Sequence, residues 1–356
     1  MKDVALYAGV ALKTVSRVVN GERGVTPEMA GRVRAAIEEL GFRRNESARL
    51  LRTGQTASVG LIVEDTGNLR YGTLARAVED IVRANGSLLF TGSTDNDSER
   101  ERALALALCA RRVDGLIIVP ADADHDYLRP EIAAGVAAVF AGRPSNLAEA
   151  DAVLADDEGG ARDAVAHLIA HGHRRIGYLG GPPGDYLAQR LRQGYADAMA
   201  AAALPADDRW AALVPPTREQ VGQAMQGLLA ASVTAVFSGG SEYTALAVRT
   251  LRAAGKAGRI ALVGFGDFEF ADLLDPGITV VAEDPAEMGR VAAELLFRRL
   301  AGEAGPARRA EVSTRLIPRG SGELAAVLAA RSALPVRSVL AALSVACAQR
   351  WLRSAS

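Results

Sequence analysis

Two basic side chains four residues apart, Lys13 and Arg17, are the first chemistry this 356-residue chain offers. That spacing puts both on one face of a helix, where long cationic donors reach the acceptor edges of guanine in a duplex groove. Thr14, Ser16 and Asn20 stand among them, and short polar side chains of this kind suit phosphate oxygens. Val15, Val18 and Val19 take the inward face, leaving Leu12, Lys13, Thr14, Ser16, Arg17 and Asn20 outward. A helix-turn-helix presents such a second helix to the major groove. An exposed helix with ordinary surface charge is the alternative, and periodicity alone leaves the two even.

Other patterns go less far. Gly180-Gly181-Pro182-Pro183-Gly184 follows an apolar run, yet a phosphate loop needs a glycine-rich turn leading into Lys-Ser or Lys-Thr, and a dinucleotide fold needs its glycines opening a helix. The prolines fit neither. His167, His171 and His173 crowd near a helix end without a carboxylate in a metal-protease arrangement, so they read as structural. The sequence thus predicts no enzyme, no catalytic residue, no metal and no cofactor.

Larger elements must hold these residues. Residues 1–44 read as three short helices: 3–8 before Gly9-Val10, 12–19 before Asn20-Gly21, and a third that Thr26-Pro27 opens and Gly41 stops. The third helix carries an apolar stripe of Met29, Val33, Ile37 and Leu40. From Ala57 onward strand-like runs at 59–63, 87–90, 115–119, 137–140, 175–179, 234–237, 260–263 and 278–281 alternate with helical stretches such as 74–84, 100–110, 161–170 and 243–254. A returning strand is expected at 311–318. The class is α/β with parallel sheets. The strands fall in two groups, split by an irregular Asp156-Asp157-Glu158-Gly159-Gly160, which predicts two lobes within 57–321, crossings near 155–160 and 282–285, and a cleft at strand carboxyl ends.

Composition bounds the function. At 49% hydrophobic and 23% charged residues the chain is an ordinary globular protein, which excludes disordered and fibrous classes. Cys109 and Cys347 are too few and too far apart for a disulfide framework or a four-cysteine zinc site, and a reducing cytoplasmic setting is expected. No apolar run is long enough for a membrane span, and the N-terminus lacks the order of a signal peptide. Charge is uneven: residues 1–56 hold ten Lys or Arg against six Asp or Glu, a net of +4, while the remainder holds 31 against 36, a net of −5. A basic head on an acidic body is the asymmetry of a chain whose one end meets a polyanion.

The run Asp3-Val4-Ala5, Ala8-Gly9-Val10, Lys13-Thr14-Val15-Ser16-Arg17-Val18-Val19-Asn20-Gly21, then Glu39-Leu40-Gly41-Phe42 and Asn45, closely resembles the DNA-binding head of the lactose/galactose-repressor family. Val113-Asp114-Gly115-Leu116-Ile117, Asp156 with Glu158-Gly159-Gly160, His167-Leu168 with Gly172-His173-Arg174-Arg175-Ile176, Val263-Gly264-Phe265 and Leu316-Ile317-Pro318-Arg319-Gly320-Ser321 are similar to that family's body. The resemblance implies an N-terminal three-helix head at 1–44, a hinge helix and linker at 45–56, and a two-lobed body at 57–321 like the periplasmic sugar-binding proteins. It implies a sequence-specific transcriptional repressor, a homodimer on a near-palindromic double-stranded DNA operator in the nucleoid, controlled by a small-molecule effector between the lobes, with no membrane partner.

By the same resemblance Leu12, Lys13 and Arg17 read bases, Thr14, Ser16 and Asn20 contact phosphates, and the hinge places Ala48 against its dyad mate and Leu51 as a minor-groove wedge. Ala11 stands where the family caps the second helix with Ser or Thr. The polar cap expected before the first helix is missing at Met1-Lys2, consistent with an upstream start or with a less stable head. The effector residues depart most. Asn68-Leu69-Arg70-Tyr71 keeps one ring where the family has two, Gly266 with Asp267 replaces a sugar-binding Asp, Gly240-Ser241 replaces an Asn-Asp pair, and Glu283 replaces a Gln. Arg190 or Arg192 falls where the family places a ligand-contacting Arg. The candidate effector set is Tyr71, Arg190, Arg192, Ser241, Asp267 and Glu283. A sugar or sugar derivative, a more apolar or anionic ligand, and no ligand all remain open.

The Ala/Leu-rich tail at 322–356 carries Leu324, Val327 and Leu328, then Val336, Val339, Leu340 and Leu343 after Pro335. Its helical spacing is consistent with an assembly helix, a helix folded onto the body, or an extension without a role.

Overall fold

The structure, a computed structural model, describes residues 1–19, 21–42 and 56–326. Asn20, the hinge segment with Ala48 and Leu51, and the tail from 327 onward lie outside the described residues.

Three helices open the chain: α1 (Lys2–Ala8), α2 (Leu12–Val19) and α3 (Pro27–Glu39). Thr26 caps α3, its Oγ1 accepting from Met29 N at 3.3 Å, with Pro27 at the first helical position. Val4, Ala8, Val15, Val33 and Ala36 make the small core, with Val18, Val19 and Ile37 packed against it. Met29 and Leu40, expected in the stripe, are each 43% exposed. Ala36, three residues beyond Val33, is buried instead, because so small a core closes on short side chains. Gly9 ends α1 at φ 59°, and a Cβ there would stand 2.6 Å from the Arg32 guanidinium, which donates to the Ala8 and Gly9 carbonyls.

The rest alternates strands and helices: β1 (Ser58–Val63), α4 (Leu69–Ala84), β2 (Leu88–Ser93), α5 (Ser98–Ala110), β3 (Gly115–Ile118), α6 (Arg129–Ala133), β4 (Ala137–Ala141), β5 (Asp151–Ala155), α7 (Asp157–Ala170), β6 (Ile176–Gly180), α8 (Tyr186–Ala201), β7 (Ala211–Leu213), α9 (Arg218–Ala230), β8 (Ala235–Ser238), α10 (Ser241–Ala253), β9 (Ala261–Phe265), β10 (Thr279–Ala282), α11 (Pro285–Leu300), β11 (Arg309–Val312) and β12 (Arg315–Ile317). They form two compact units, one holding 1–141, 145–151 and 289–308, the other 142–144, 152–288 and 309 onward.

In the first unit β1 is flanked in parallel by β2 and β3, and β3 by β4. All of β1 is buried, as a strand covered on both faces must be. Glu101 of α5 is buried as well and is fully engaged: it accepts from Ala121 N at 2.6 Å and the Tyr127 hydroxyl at 3.0 Å, and lies 2.9 Å from His125 Nε2.

The second unit has the sheet order β7-β6-β8-β9-β10-β12, parallel except for β12, which runs antiparallel to β10. The expected single strand at 311–318 is two strands that separate at Ser313 and Thr314: β11 pairs in parallel with β5, and β12 pairs with β10. Asp156 to Gly160, expected as irregular, is the cap and first turn of α7. Asp156 Oδ1 accepts from Gly159 N at 2.8 Å, so the acidic and glycine-rich run starts a helix rather than interrupting one. Gly194 of α8 lets that helix lie on α7, since a Cβ there would sit 2.3 Å from the Glu158 carbonyl oxygen.

Candidate functional site

In the head, Val15 is fully buried and anchors α2, while Leu12 is 46% exposed and Lys13 is exposed on the outer face. Thr14, Ser16 and Arg17 are half-buried, and the Arg17 guanidinium lies 4.0 Å from the Glu22 carboxylate. The Ala11 carbonyl accepts from Thr14 N at 2.8 Å and Val15 N at 3.2 Å, but its methyl offers no oxygen to the first turn. Leu12, Lys13, Thr14, Ser16 and Arg17 thus share one short helix whose valine side is committed to the core. Their cationic and hydroxyl groups are suited to anionic backbone and base acceptors.

On the first unit Tyr71 sits in the first turn of α4, which Asn68 caps by accepting from Arg70 N at 3.0 Å. The ring is buried, its hydroxyl donates to Glu64 Oε2 at 2.8 Å, and the Arg70 guanidinium lies 5.8 Å from the ring centroid. Glu64 follows β1, so the hydrogen bond ties the helix start to the strand end. No local sequence pattern marks Glu64 as part of the site.

On the second unit Arg190, Ser241, Asp267 and Glu283 lie on segments that follow the carboxyl ends of β6, β8, β9 and β10. Ser241 begins α10, and the Gly266 Cβ direction points to within 3.7 Å of its backbone nitrogen, so the β8 and β9 loops meet there. Arg190 Nη1 lies 2.7 Å from Glu158 Oε2 as an ion pair, and its buried Nε has no hydrogen-bond partner, while Arg192, two residues on, is exposed. Asp267 is gripped by Arg319, which holds its carboxyl below the usual carboxylate range. Burial raises the pKa of the Tyr186 phenol, which feels the charges of Arg190 and Glu158. Glu158 and Arg319 are missing from the sequence-derived site because no local pattern connects them to Arg190 and Asp267.

The three histidines have specific partners. His167 Nε2 is 2.5 Å from Glu323 Oε1, His171 Nδ1 is 2.8 Å from the His167 carbonyl, and His173 bridges Thr234 Oγ1 at 2.9 Å and the Leu324 carbonyl at 2.7 Å. Among the described residues no group of three His, Cys, Asp or Glu side chains is arranged to hold a metal, and no helix is long and apolar enough to cross a membrane.

Comparison with known proteins places these features. Residues 1–45 match the family model described as bacterial regulatory proteins, lacI family, and residues 165–322 match the periplasmic binding protein-like domain. The chain is 34% identical over 335 residues to the HTH-type transcriptional regulator CelR of Thermobifida fusca, covering 90% of this chain and 98% of that one. It is 33% identical over 303 residues to the HTH-type transcriptional regulator GalR of Escherichia coli K12, covering 83% and 87%. Among solved structures it is similar to a complex of the transcriptional regulator CelR with cellobiose, with TM-score 0.67 and 31% identity over 90% of this chain and 98% of that one. It is also similar to the lac repressor dimer bound to operator and the anti-inducer ONPF, with TM-score 0.78 and 25% identity over 91% and 98%.

Proposed function

The chain belongs to the lacI family of bacterial regulatory proteins, and on that premise we propose that it is a homodimeric repressor whose grip on a near-palindromic operator is set by a small polyhydroxylated effector. It is a DNA-binding transcriptional regulator, and in this proposal it works by binding alone, without an enzymatic step, in the cytoplasm at the nucleoid. The observation that carries the reading is the division of α2, with Val15 committed to the head core and Leu12 and Lys13 turned outward. Leu12, Lys13 and Arg17 read bases; Thr14, Ser16 and Asn20 hold phosphates. Ala48 and Leu51 form the minor-groove hinge, with Leu51 as the wedge. Incubating the purified chain with genomic fragments at two salt concentrations tests it. Selective retention that Arg17→Ala weakens supports the reading, and retention of all fragments alike overturns it.

The effector residues in this proposal are Tyr71, Arg190, Arg192, Ser241, Asp267 and Glu283. Their charge balance supports an uncharged ligand. Glu158 already balances the charge of Arg190 and Arg319 that of Asp267, so neither guanidinium offers an uncompensated charge to a phosphate or carboxylate, and the unpartnered Arg190 Nε is a single donor that a neutral oxygen can fill. The carboxylate oxygens remain acceptors for sugar hydroxyls. The CelR relative, whose structure is of a cellobiose complex, makes neutral saccharides the first panel to try. A thermal-shift screen of neutral saccharides against sugar phosphates and sugar acids decides between the classes, and repeating it on Asp267→Asn and Tyr71→Ala tests the residues. Stabilisation by the anionic panel alone would refute the neutral class.

A further inference from the structure

Three of the four histidines in the chain lie in the second unit, and all three meet the same short segment, residues 323–326. Sequence spacing predicts a helix starting near Leu324, but these residues are not helical. They run out from the β12 end and are tied down at each step. Glu323 accepts from Thr279 Oγ1 at 2.9 Å and from Gly320 N, and faces His167. The Leu324 carbonyl meets His173 Nε2, and Ala326 N donates to the His171 carbonyl at 3.3 Å. The Leu324 side chain packs on the core beside Leu262 and Ile278.

We propose that His173 is an acid-released latch that, beside the His167–Glu323 contact, fixes residues 323–326 to the second unit at neutral pH and frees them in acid. The asymmetry between the two histidines gives the direction. His167 faces a carboxylate, so a proton on its ring strengthens that contact as long as Glu323 is ionised. His173 is 1% exposed and is faced by the Thr234 hydroxyl, the Leu324 carbonyl and the His171 ring, with Arg174 and Arg175 next in sequence. Among the described residues no carboxylate forms an ion pair with it.

Burial therefore holds the His173 pKa below the ordinary imidazole value of 6.5. A released segment would expose the ring and let it take up a proton, so the latched form is fully favoured above the ordinary value and loses ground as pH falls toward the latched one. For Glu323, burial pushes the carboxyl up, but hydrogen bonds from Thr279, Gly320 N and His167 outweigh it and leave the group below its usual 4.5. The Glu323 contribution is therefore present above 4.5 and lost only in stronger acid.

The test is hydrogen exchange of the full chain, read by mass spectrometry on the peptide containing Leu324 to Ala326 and corrected for the intrinsic pH dependence of exchange. Protection is expected to fall by up to about tenfold per pH unit below the ordinary imidazole pKa, the slope of one proton. His173→Gln, whose amide can serve both Thr234 and Leu324, is expected to keep the protection at pH near 8 and lose its pH dependence. Protection in the parent that ignores pH, or a pH dependence that survives in His173→Gln, overturns the latch. Should that variant fail to fold, imidazole resonances of the labelled parent chain decide. A His173 titration midpoint coinciding with the loss of protection supports the proposal, and separate midpoints reject it.

Discussion

Arg319 holds Asp267 with both prongs of its guanidinium, Nη1 to Oδ1 at 2.7 Å and Nη2 to Oδ2 at 2.6 Å, across 52 residues of sequence. The pair joins the segment after β9 to the segment after β12, and it fixes where a carboxylate stands at the strand ends. A bidentate grip sets orientation as well as charge.

Arg319→Gln is expected to destabilise the second unit by about 1 kcal/mol, the lower end for a charge-assisted bond because Asp267 is partly exposed and screened. Since Arg319 lowers the Asp267 pKa, the contribution is present above the ordinary carboxyl value of 3.8 and lost as pH falls through the folded one. Urea midpoints of parent and variant should therefore differ at neutral pH and converge in acid. Curves that stay equally far apart at every pH would mean that the ion pair is not what the substitution removed.

In the head, Arg17→Ala should cost about 1–3 kcal/mol at the operator and relax preference at one base pair, whereas Thr14→Ala should weaken all sequences alike. Binding selections on a randomised operator separate the two outcomes. An unchanged preferred site with Arg17→Ala removes Arg17 from base reading.

Gly194→Ala should destabilise the second unit by about 2–3 kcal/mol through overpacking, because its Cβ would stand 2.3 Å from the Glu158 carbonyl and 2.7 Å from the Ala161 Cβ. Both neighbours belong to α7, and a backbone oxygen cannot swing aside as a side chain can. A calorimetric scan resolving the unit checks this, and an unshifted transition would show that the two helices can separate at little cost.

Glu101→Ala should cost the first unit about 2–3 kcal/mol, because it leaves the Tyr127 hydroxyl and the Ala121 amide buried without their common acceptor. Denaturant unfolding of that unit measures it. A loss no larger than that of an exposed Glu→Ala change would mean that water replaces the carboxylate there.

Truncation separates the root of the tail from the rest. Removing 327–356 should leave mass and stability unchanged, whereas removing 323–356 should lower the unfolding midpoint of the second unit, since His167, His173 and Thr279 lose Glu323 and the Leu324 carbonyl. Light scattering on both should give the same dimer mass. A drop in mass on the first truncation would make the tail an assembly element.

What the sequence determined by itself was local. Apolar runs such as Val59 to Val63 have to be buried strands, Thr26-Pro27 has to open a helix, and Val15 against Lys13 and Arg17 divides α2 into a core face and an outer face; each depends on neighbours within a few residues. The α/β class with parallel sheets follows from such runs in alternation. Only the tertiary structure decided the pairings across the chain. Asp267 meets Arg319, Arg190 meets Glu158, Tyr71 meets Glu64, and 311–318 divides between β5 and β10 because two strand edges are open to it. Asp156 to Gly160 shows the limit even at short range, since three acidic residues and two glycines suit a turn and a capped helix start equally well. The docking of Gly194 against Glu158 selects the helix there. The tail root shows it at long range, because the helical spacing of Leu324, Val327 and Leu328 is outweighed at 323–326 by histidines some 150 residues earlier, which offer hydrogen bonds that a helix would have to give up.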